Sequence, residues 1–260
     1  MKRILLSAAA ILACVFSLSG QNDYERRTFT SSDGTSINYR YLQPENVKSG
    51  KKYPLIIFMH GLGERGNDNE RQLTHGGAMF LNPATRDKYP AYVIFPQCPE
   101  TAFWAYDDIP GSHTNMKAQE KMPAPFKAVK EMIETYISSP EIDQSRVYIM
   151  GLSMGGMATF DMVARFPDLF AAAIPICGAV DPARLEGLEG VSFRIFHGDA
   201  DPTVPVECSR SAYRALKKSG CKVEYYEFPG CGHGSWNPAF SRDDFMEWLF
   251  KQKQARKYLK

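Results

Sequence analysis

The sequence has no excess of charge of either sign. Its 31 Lys and Arg face 29 Asp and Glu, and the formal charge of +2 falls to zero when Lys2 and Arg3 of an N-terminal leader are set aside. A neutral chain without charge clusters is not expected to bind nucleic acid or an acidic membrane. Charged residues make up 23% of the chain and hydrophobic residues 44%, a composition that excludes intrinsic disorder.

The chain also lacks an apolar run long enough to span a membrane. Its longest run, residues 4–16, is shorter than the ~20 residues that a spanning helix needs. Basic residues precede this run and small residues follow it, a pattern typical of a cleaved signal peptide over residues 1–20. Residues 11–14 resemble a lipoprotein cleavage box, but two apolar residues follow Cys14 where polar residues usually stand. We therefore expect a periplasmic or secreted protein without membrane insertion.

Cysteine is scarce, and its spacing follows no metal-binding pattern. Neither a CxxC nor an HExxH motif is present, so we expect no metal and no cofactor. At most two disulfides can form outside the leader, and a predicted helix would hold Cys208 and Cys221 roughly 18 Å apart, which disfavours their pairing. The pairing otherwise stays open among five cysteines, Cys98, Cys177, Cys208, Cys221 and Cys231.

Short apolar runs alternate with amphipathic segments along the chain. Five runs predict strands buried on both faces: 54–59, 91–95, 147–150, 171–176 and 193–196. Four segments predict helices: 126–136, 154–166, 208–218 and 243–251. A last strand is predicted at 222–228, and the segments 26–30 and 36–41 predict an antiparallel pair. The pattern indicates one α/β domain over residues 21–260, with a mostly parallel, doubly wound sheet and antiparallel N-terminal strands.

Residues 151–155, Gly-Leu-Ser-Met-Gly, match the G-x-S-x-G pattern. They stand where a predicted buried strand passes into a predicted helix, which is the context that this motif requires. A serine on such a sharp turn has close neighbours, so the flanking positions must lack bulk while the serine Oγ projects above the sheet. Ser153 is therefore the candidate nucleophile.

A serine hydroxyl is a poor nucleophile at neutral pH and needs a general base that is oriented by an acid. The candidate base is His233, which lies in a glycine-rich loop after the last predicted strand. Two candidate acids, Asp199 and Asp201, follow the strand before it, and the residues alone barely separate them. The chain order Ser, Asp, His is the order that the α/β-hydrolase fold produces.

Residues 61–66 match the G-x-G-x-x-G fingerprint of dinucleotide-binding proteins, but their context disagrees with that interpretation. No helix opens inside the glycines, and the acidic residue near position 87 precedes a strand instead of ending one. We interpret the segment as an oxyanion loop. The backbone N–H of Leu62 or Gly63, together with that of Met154, would then face the developing negative charge.

Six segments carry a resemblance to a known family, and they occur in the expected order within residues 25–250: 60–66, 96–99, 151–156, 175–178, 201–205 and 232–236. Together they resemble the secreted esterases of the α/β-hydrolase superfamily, especially feruloyl and acetyl esterases of polysaccharide degradation and their predicted-peptidase relatives. The resemblance implies the α/β-hydrolase fold, with Ser153 as nucleophile, Asp201 as acid and His233 as base. It does not identify the acyl group.

Three aromatic residues are predicted to line the substrate cleft, with surface packing as the alternative: Trp104, Tyr106 and Trp236. The segment 178–191 is too short to form a cap domain, so we expect an open cleft that accepts esters carried on a bulky polymer. The expected function is a serine carboxylic ester hydrolase that removes feruloyl or acetyl groups from plant oligo- or polysaccharides. The alternatives are a serine peptidase of the same fold and an inactive carbohydrate-binding scaffold. The sequence does not indicate an oligomeric state.

Overall fold

The structure is a computed structural model that describes residues 23–106, 116 and 119–254. The predicted signal peptide and the lipoprotein cleavage box lie outside the described residues. Within these ranges, no helix is both long and apolar enough to cross a membrane.

An eight-stranded mixed sheet forms the centre of the molecule. Its strands are β1 (Glu25–Thr30), β2 (Ser36–Leu42), β3 (Tyr53–Met59), β4 (Tyr92–Pro96), β5 (Ile142–Leu152), β6 (Ala172–Ile176), β7 (Ser192–Gly198) and β8 (Val223–Phe228). Their order in the sheet is β1-β2-β4-β3-β5-β6-β7-β8. Strand β2 pairs antiparallel with β1 and β4, and the other neighbours pair in parallel. The predicted mostly parallel sheet with antiparallel N-terminal strands is therefore confirmed.

Helices connect the strands and cover the sheet. They are α1 (Gly77–Leu81), α2 (Pro83–Lys88), α3 (Ala124–Ile137), α4 (Met154–Arg165), α5 (Glu207–Lys218), α6 (Trp236–Phe240) and α7 (Phe245–Phe250). Short 3-10 helices lie at Leu62–Glu64, Arg71–Leu73, Pro167–Leu169 and Pro182–Leu185. The last of these lies between β6 and β7, within the segment 178–191 that the sequence indicated was too short to form a cap domain.

The core is divided by the sheet into two hydrophobic clusters. All seven residues of β3 are buried, and their side chains alternate between the faces because successive strand residues point to opposite sides. Leu55 and Ile57 join the cluster that contains side chains of α3, α4 and α5, while Ile56 and Phe58 join the cluster that contains side chains of α7. Burial on both faces explains why these strands read as continuous apolar runs in the sequence.

Parallel strands place their carboxyl ends at one edge of the sheet, and the candidate catalytic residues follow three of these ends. Ser153 comes directly after β5, Asp201 follows β7, and His233 follows β8. Glycine lets helix α4 approach this edge closely: a Cβ atom on Gly155 would lie 2.0 Å from the Met59 carbonyl oxygen. The fold thus brings distant parts of the sequence to a common edge.

Candidate active site

The backbone of Ser153 has an unusual conformation that presents its side chain. Its φ of 54° and ψ of −120° lie in a region that non-glycine residues rarely adopt. The strain is held by the surroundings, since the Ser153 N–H donates to the Ile176 carbonyl at the end of β6 at 2.9 Å. Helix α4 starts at the next residue. The predicted strand-to-helix turn is present, and it lifts the Ser153 hydroxyl above the sheet edge.

His233 lies between Ser153 and Asp201. The distance from its Nε2 to Ser153 Oγ is 2.9 Å, and the distance from its Nδ1 to Asp201 Oδ2 is 2.8 Å. A carboxylate only accepts hydrogen bonds when it is ionised, so the Nδ1 position carries the proton and Nε2 is free to accept. The three side chains form the connected series that nucleophilic serine catalysis needs.

The structure resolves the choice of the acid in geometric terms. Asp201 has a fully buried side chain next to His233, whereas Asp199 is exposed and its Oδ1 accepts from the Gly230 N–H at 2.7 Å. The same sequence segment supplies both residues, but Asp199 is engaged with the neighbouring loop. Asp201 is the carboxylate that orients His233.

Three N–H groups donate to the Asp201 carboxylate: His233 to Oδ2 at 2.8 Å, and the N–H groups of Thr203 and Val204 to Oδ1 at 2.8 and 3.0 Å. His197 Nε2 lies 3.3 Å from Oδ2 as a further contact. Burial by itself would raise the pKa of the Asp201 carboxyl, but the hydrogen bonds from His197, His233 and the backbone outweigh burial and hold this pKa well below its usual range. The acid therefore stays charged.

His197 is a site residue that the sequence analysis missed. It is fully buried, and its Nε2 lies 2.9 Å from the Val204 carbonyl, which can only accept, so Nε2 bears the proton. Its Nδ1 lies 2.6 Å from Ser209 Oγ, which fixes the ring from the other side. His197 thus supports Asp201 from behind. The only signal in the sequence is the position of His197 four residues before Asp201, and this spacing does not show that the two side chains meet.

The loop after β3 has a fixed orientation because the His60 ring clamps it. The Cys98 N–H donates to His60 Nε2 at 2.9 Å, so the proton is on Nδ1, which donates to the Gly61 carbonyl at 2.6 Å. Burial lowers the pKa of His60 to about 4, which keeps the ring neutral. In a trans peptide the N–H points away from the C=O, so the Leu62 N–H faces away from the buried His60 ring.

The backbone N–H groups predicted for the oxyanion hole stand at helix starts. Leu62 and Gly63 are the first two residues of a 3-10 helix, and Met154 is the first residue of α4. N–H groups at these positions have no partner within their own helix. Leu62 and Gly63 are exposed, and Met154 directly follows the nucleophile. Met154 adjoins Ser153 in sequence, and Leu62 and Gly63 follow β3 at the same edge of the sheet.

The predictions that Trp104 and Tyr106 line the substrate cleft are wrong. Trp104 has 0% and Tyr106 has 4% of its surface exposed, and both belong to the same hydrophobic cluster as α3 and α4. The Trp104 Nε1–H donates to the His60 carbonyl at 3.2 Å, and its ring packs on the His60 ring at 5.1 Å. Trp104 therefore supports the oxyanion loop from inside. The polar composition of its segment concealed this contact.

Trp236 lies next to His233, and its role in lining the substrate cleft stays a prediction. It starts helix α6, is half-buried, and its ring meets the His233 ring edge-to-face at 5.5 Å. On its other side the His75 ring packs at 4.9 Å, and His75 Nε2 lies 3.5 Å from Glu64 Oε1. His75 and Glu64 were not predicted as site residues, because neither belongs to a known catalytic spacing.

One group of side chains in the described ranges could hold a metal ion: Cys177, Asp201 and His233, whose ligand atoms lie within 4.8 Å of one another. Asp201 and His233 already bind each other. Burial raises the pKa of the Cys177 thiol to about 12, which opposes the thiolate form that metals prefer. The geometry fits a hydrogen-bonded catalytic group better than a metal site. In the described part of the chain, five cysteines form no disulfide with one another: Cys98, Cys177, Cys208, Cys221 and Cys231.

Comparisons with known proteins agree in assigning similarity to esterases. The family model described as phospholipase/carboxylesterase matches residues 45–244. A probable carboxylesterase SOBER1-like of Arabidopsis thaliana is 25% identical over 218 residues, which are 77% of this chain and 79% of that protein. Feruloyl esterase B of Neurospora crassa is 28% identical over 148 residues, which are 56% of this chain and 46% of that protein.

A solved structure shows the same fold. The crystal structure of a thermostable esterase has a TM-score of 0.81 and 36% sequence identity, and the match covers 90% of this chain and 64% of that chain. The chain therefore spans just under two thirds of that esterase and under half of the feruloyl esterase. The matches confirm the expected α/β-hydrolase fold and the resemblance to carboxylesterases and feruloyl esterases.

Proposed function

The chain belongs to the phospholipase/carboxylesterase family of α/β hydrolases, and from this premise we propose that it cleaves carboxylic esters through a serine acyl-enzyme. The observation that carries the proposal is the continuous contact from Ser153 Oγ to His233 Nε2 at 2.9 Å and from His233 Nδ1 to Asp201 Oδ2 at 2.8 Å. These distances lie within the range that proton transfer requires.

The first half-reaction forms the acyl-enzyme. Ser153 Oγ attacks the ester carbonyl carbon while its proton moves to His233 Nε2. The resulting imidazolium is stabilised by the Asp201 carboxylate, whose hydrogen bonds keep it charged. His233 then gives the proton to the alcohol oxygen as the ester C–O bond breaks, and the free alcohol leaves.

The second half-reaction releases the acid. Water takes the place of the alcohol, loses a proton to His233 Nε2 and attacks the acyl carbon, and the proton then returns to Ser153 Oγ. In both halves a negative charge develops on the carbonyl oxygen. The N–H groups of Met154 and of Leu62 or Gly63 would stabilise it, and each such donor contributes on the order of 3 kcal/mol to the transition state.

We further propose that the acyl group is feruloyl or acetyl and that the alcohol belongs to a plant oligo- or polysaccharide. The support is the family resemblance, the similarity to feruloyl esterase B of Neurospora crassa, and two side chains, one in the predicted oxyanion loop and one next to His233. Leu62 has 43% of its surface exposed, and Trp236 presents a half-buried ring next to His233. Apolar and aromatic surfaces of this kind suit a planar acyl group or a sugar face.

Hydrolysis of three esters would test this substrate class. We expect higher kcat/KM on methyl ferulate or acetylated xylan than on a long-chain triglyceride, with no metal or cofactor added. Preference for the triglyceride would contradict the proposal, and preference for acetylated xylan would narrow it to acetyl groups. Cleavage of a peptide substrate without cleavage of any ester would instead support a serine peptidase.

We also propose that residues 1–20 direct export to the periplasm or the medium. N-terminal sequencing of the exported protein should then give a start near residue 21. Recovery of the chain with Met1 attached would contradict cleavage, and a lipid on Cys14 would identify a lipoprotein.

A further inference from the structure

Four side chains form a row of contacts that leads away from the nucleophile. The His233 ring meets the Trp236 ring at 5.5 Å, and the Trp236 ring meets the His75 ring at 4.9 Å. His75 Nε2 is 3.5 Å from Glu64 Oε1, and Glu64 is the last residue of the 3-10 helix that begins with Leu62. The row therefore joins the catalytic histidine to the oxyanion loop.

Glu64 is the end of this row and belongs to the oxyanion loop. Its Oε2 would be 3.0 Å from a Cβ atom on Gly61, so the side chain folds back over that residue. Its side chain is 12% exposed. Among the residues that the structure describes, its only polar contact is the long one to His75. An ionised carboxylate offers about four acceptor positions, and most of these are open here.

The chemistry of the row fits a hydroxyl-bearing ligand. A carboxylate accepts hydrogen bonds from hydroxyl groups, an imidazole with 33% side-chain exposure can donate or accept, and an indole ring packs against the apolar face of a sugar or polyol. Hydrogen bonds to a charged group are among the stronger ones in proteins. Such a set of a few polar groups beside an aromatic surface is typical of a site that fixes orientation.

The position of the row identifies the part of the substrate. His233 Nε2 must reach the oxygen of the departing alcohol to protonate it. The alcohol therefore leaves on the His233 side of Ser153, where Trp236 and His75 lie. We propose that Glu64, His75 and Trp236 form a subsite that recognises a hydroxylated alcohol, such as a sugar or polyol, as the leaving group of the ester. This inference rests on the proposed ester hydrolysis.

Two esters that differ only in hydroxyl groups test the subsite. Propyl acetate and glycerol 1-monoacetate share the acyl group and a three-carbon alcohol. We expect the wild-type kcat/KM to be higher for the glycerol ester by about tenfold or more, as hydroxyl hydrogen bonds to a charged group would give. In Glu64→Gln and in His75→Gln this ratio should fall at least about threefold. Trp236 is left unchanged because its ring touches His233.

Glu189→Gln serves as the matched control. Glu189 is an exposed carboxylate just before β7, at the amino ends of the parallel strands and thus opposite the site. This variant should keep the wild-type ratio and activity. Thermal melts of the three variants show whether each one folds, and either of the two site variants is sufficient if the other does not.

The outcomes separate the subsite from the reaction. Equal wild-type rates on the two esters, or equal losses on both in the variants, would overturn the subsite while ester hydrolysis stands. Failure of the wild-type protein to cleave either ester would refute the proposed function and the subsite with it. A selective loss on the glycerol ester supports the inference, even where acetylated xylan is not a substrate.

Discussion

Replacing Asp201 by asparagine should disable His233, and the structure explains why the amide cannot substitute. Two N–H groups lie near each carboxylate oxygen. The Oδ1 atom accepts from the N–H groups of Thr203 and Val204, and Oδ2 accepts from His233 and has the N–H of His197 at 3.3 Å. An amide has one oxygen and one NH2 group. In either orientation the NH2 group therefore meets two N–H donors, and two favourable contacts become repulsive.

The effect on turnover follows from the proton positions. If the amide NH2 faces His233, Nδ1 must accept, so the proton is on Nε2 and Ser153 has no base. If the amide turns over, two buried backbone N–H groups lose their acceptor, each at a cost of about 1–3 kcal/mol. We expect a fall in kcat of about 10⁴-fold, which corresponds to about 5 kcal/mol in the activation free energy.

Asp199→Asn is the matched control. Asp199 is exposed, and its one acceptor contact, from the Gly230 N–H, can be made equally by an amide oxygen. The kcat of the Asp199→Asn variant should therefore change little. Steady-state kinetics on p-nitrophenyl acetate measures both variants, and circular dichroism melts report folding. More than a tenth of wild-type kcat in a folded Asp201→Asn protein would refute the reasoning, and a larger loss in Asp199→Asn would transfer the role to Asp199.

Three further perturbations follow from the same geometry. His197→Gln removes one of the donors to Asp201 and should lower kcat about tenfold; unchanged kcat in the folded variant would contradict the supporting role of His197. Burial lowers the pKa of His60 from 6.5 to about 4, so between these pH values the unfolded chain binds a proton that the folded protein does not. The free energy of unfolding should therefore fall by about 3 kcal/mol as the pH falls from 7 to 4. Urea titrations of His60→Gln should show less pH dependence than the wild type, and identical dependence would contradict this. Gly155→Ala places a Cβ atom 2.0 Å from the Met59 carbonyl and should destabilise the fold by several kcal/mol, whereas Gly190→Ala, with open space around it, should not; melting temperatures decide, and equal values would contradict the close approach.

The central strands were predictable from the sequence because they are buried on both faces. All residues of β3 and β4 are buried and nearly all are apolar, so each strand appears in the sequence as a continuous apolar run. Strand β5 begins at Ile142, five residues earlier than predicted, because its first part is polar and half-buried. The short helices α1 and α2 were also missed, since five or six residues are too few for a clear helical period.

The contacts around the site were less predictable than the nucleophile. Ser153 could be identified because the sharp turn requires glycine at neighbouring positions, which produces the G-x-S-x-G pattern in the sequence. The choice between Asp199 and Asp201, by contrast, depends on which carboxylate meets His233, a contact between residues 32 positions apart. Trp104 was misplaced for the same reason, because its partner is the carbonyl of a residue 44 positions away.

The proposed mechanism depends on Ser153 as the covalent nucleophile, and turnover of a simple aryl ester by Ser153→Ala tests this role most directly. The Ser153 hydroxyl is half-exposed at the sheet edge, so its loss should leave the melting temperature close to that of the wild type. We expect a fall in kcat/KM of about 10⁴-fold or more, with only oxyanion-hole and binding contributions remaining. A folded Ser153→Ala protein that retains a tenth of the wild-type kcat/KM would contradict it.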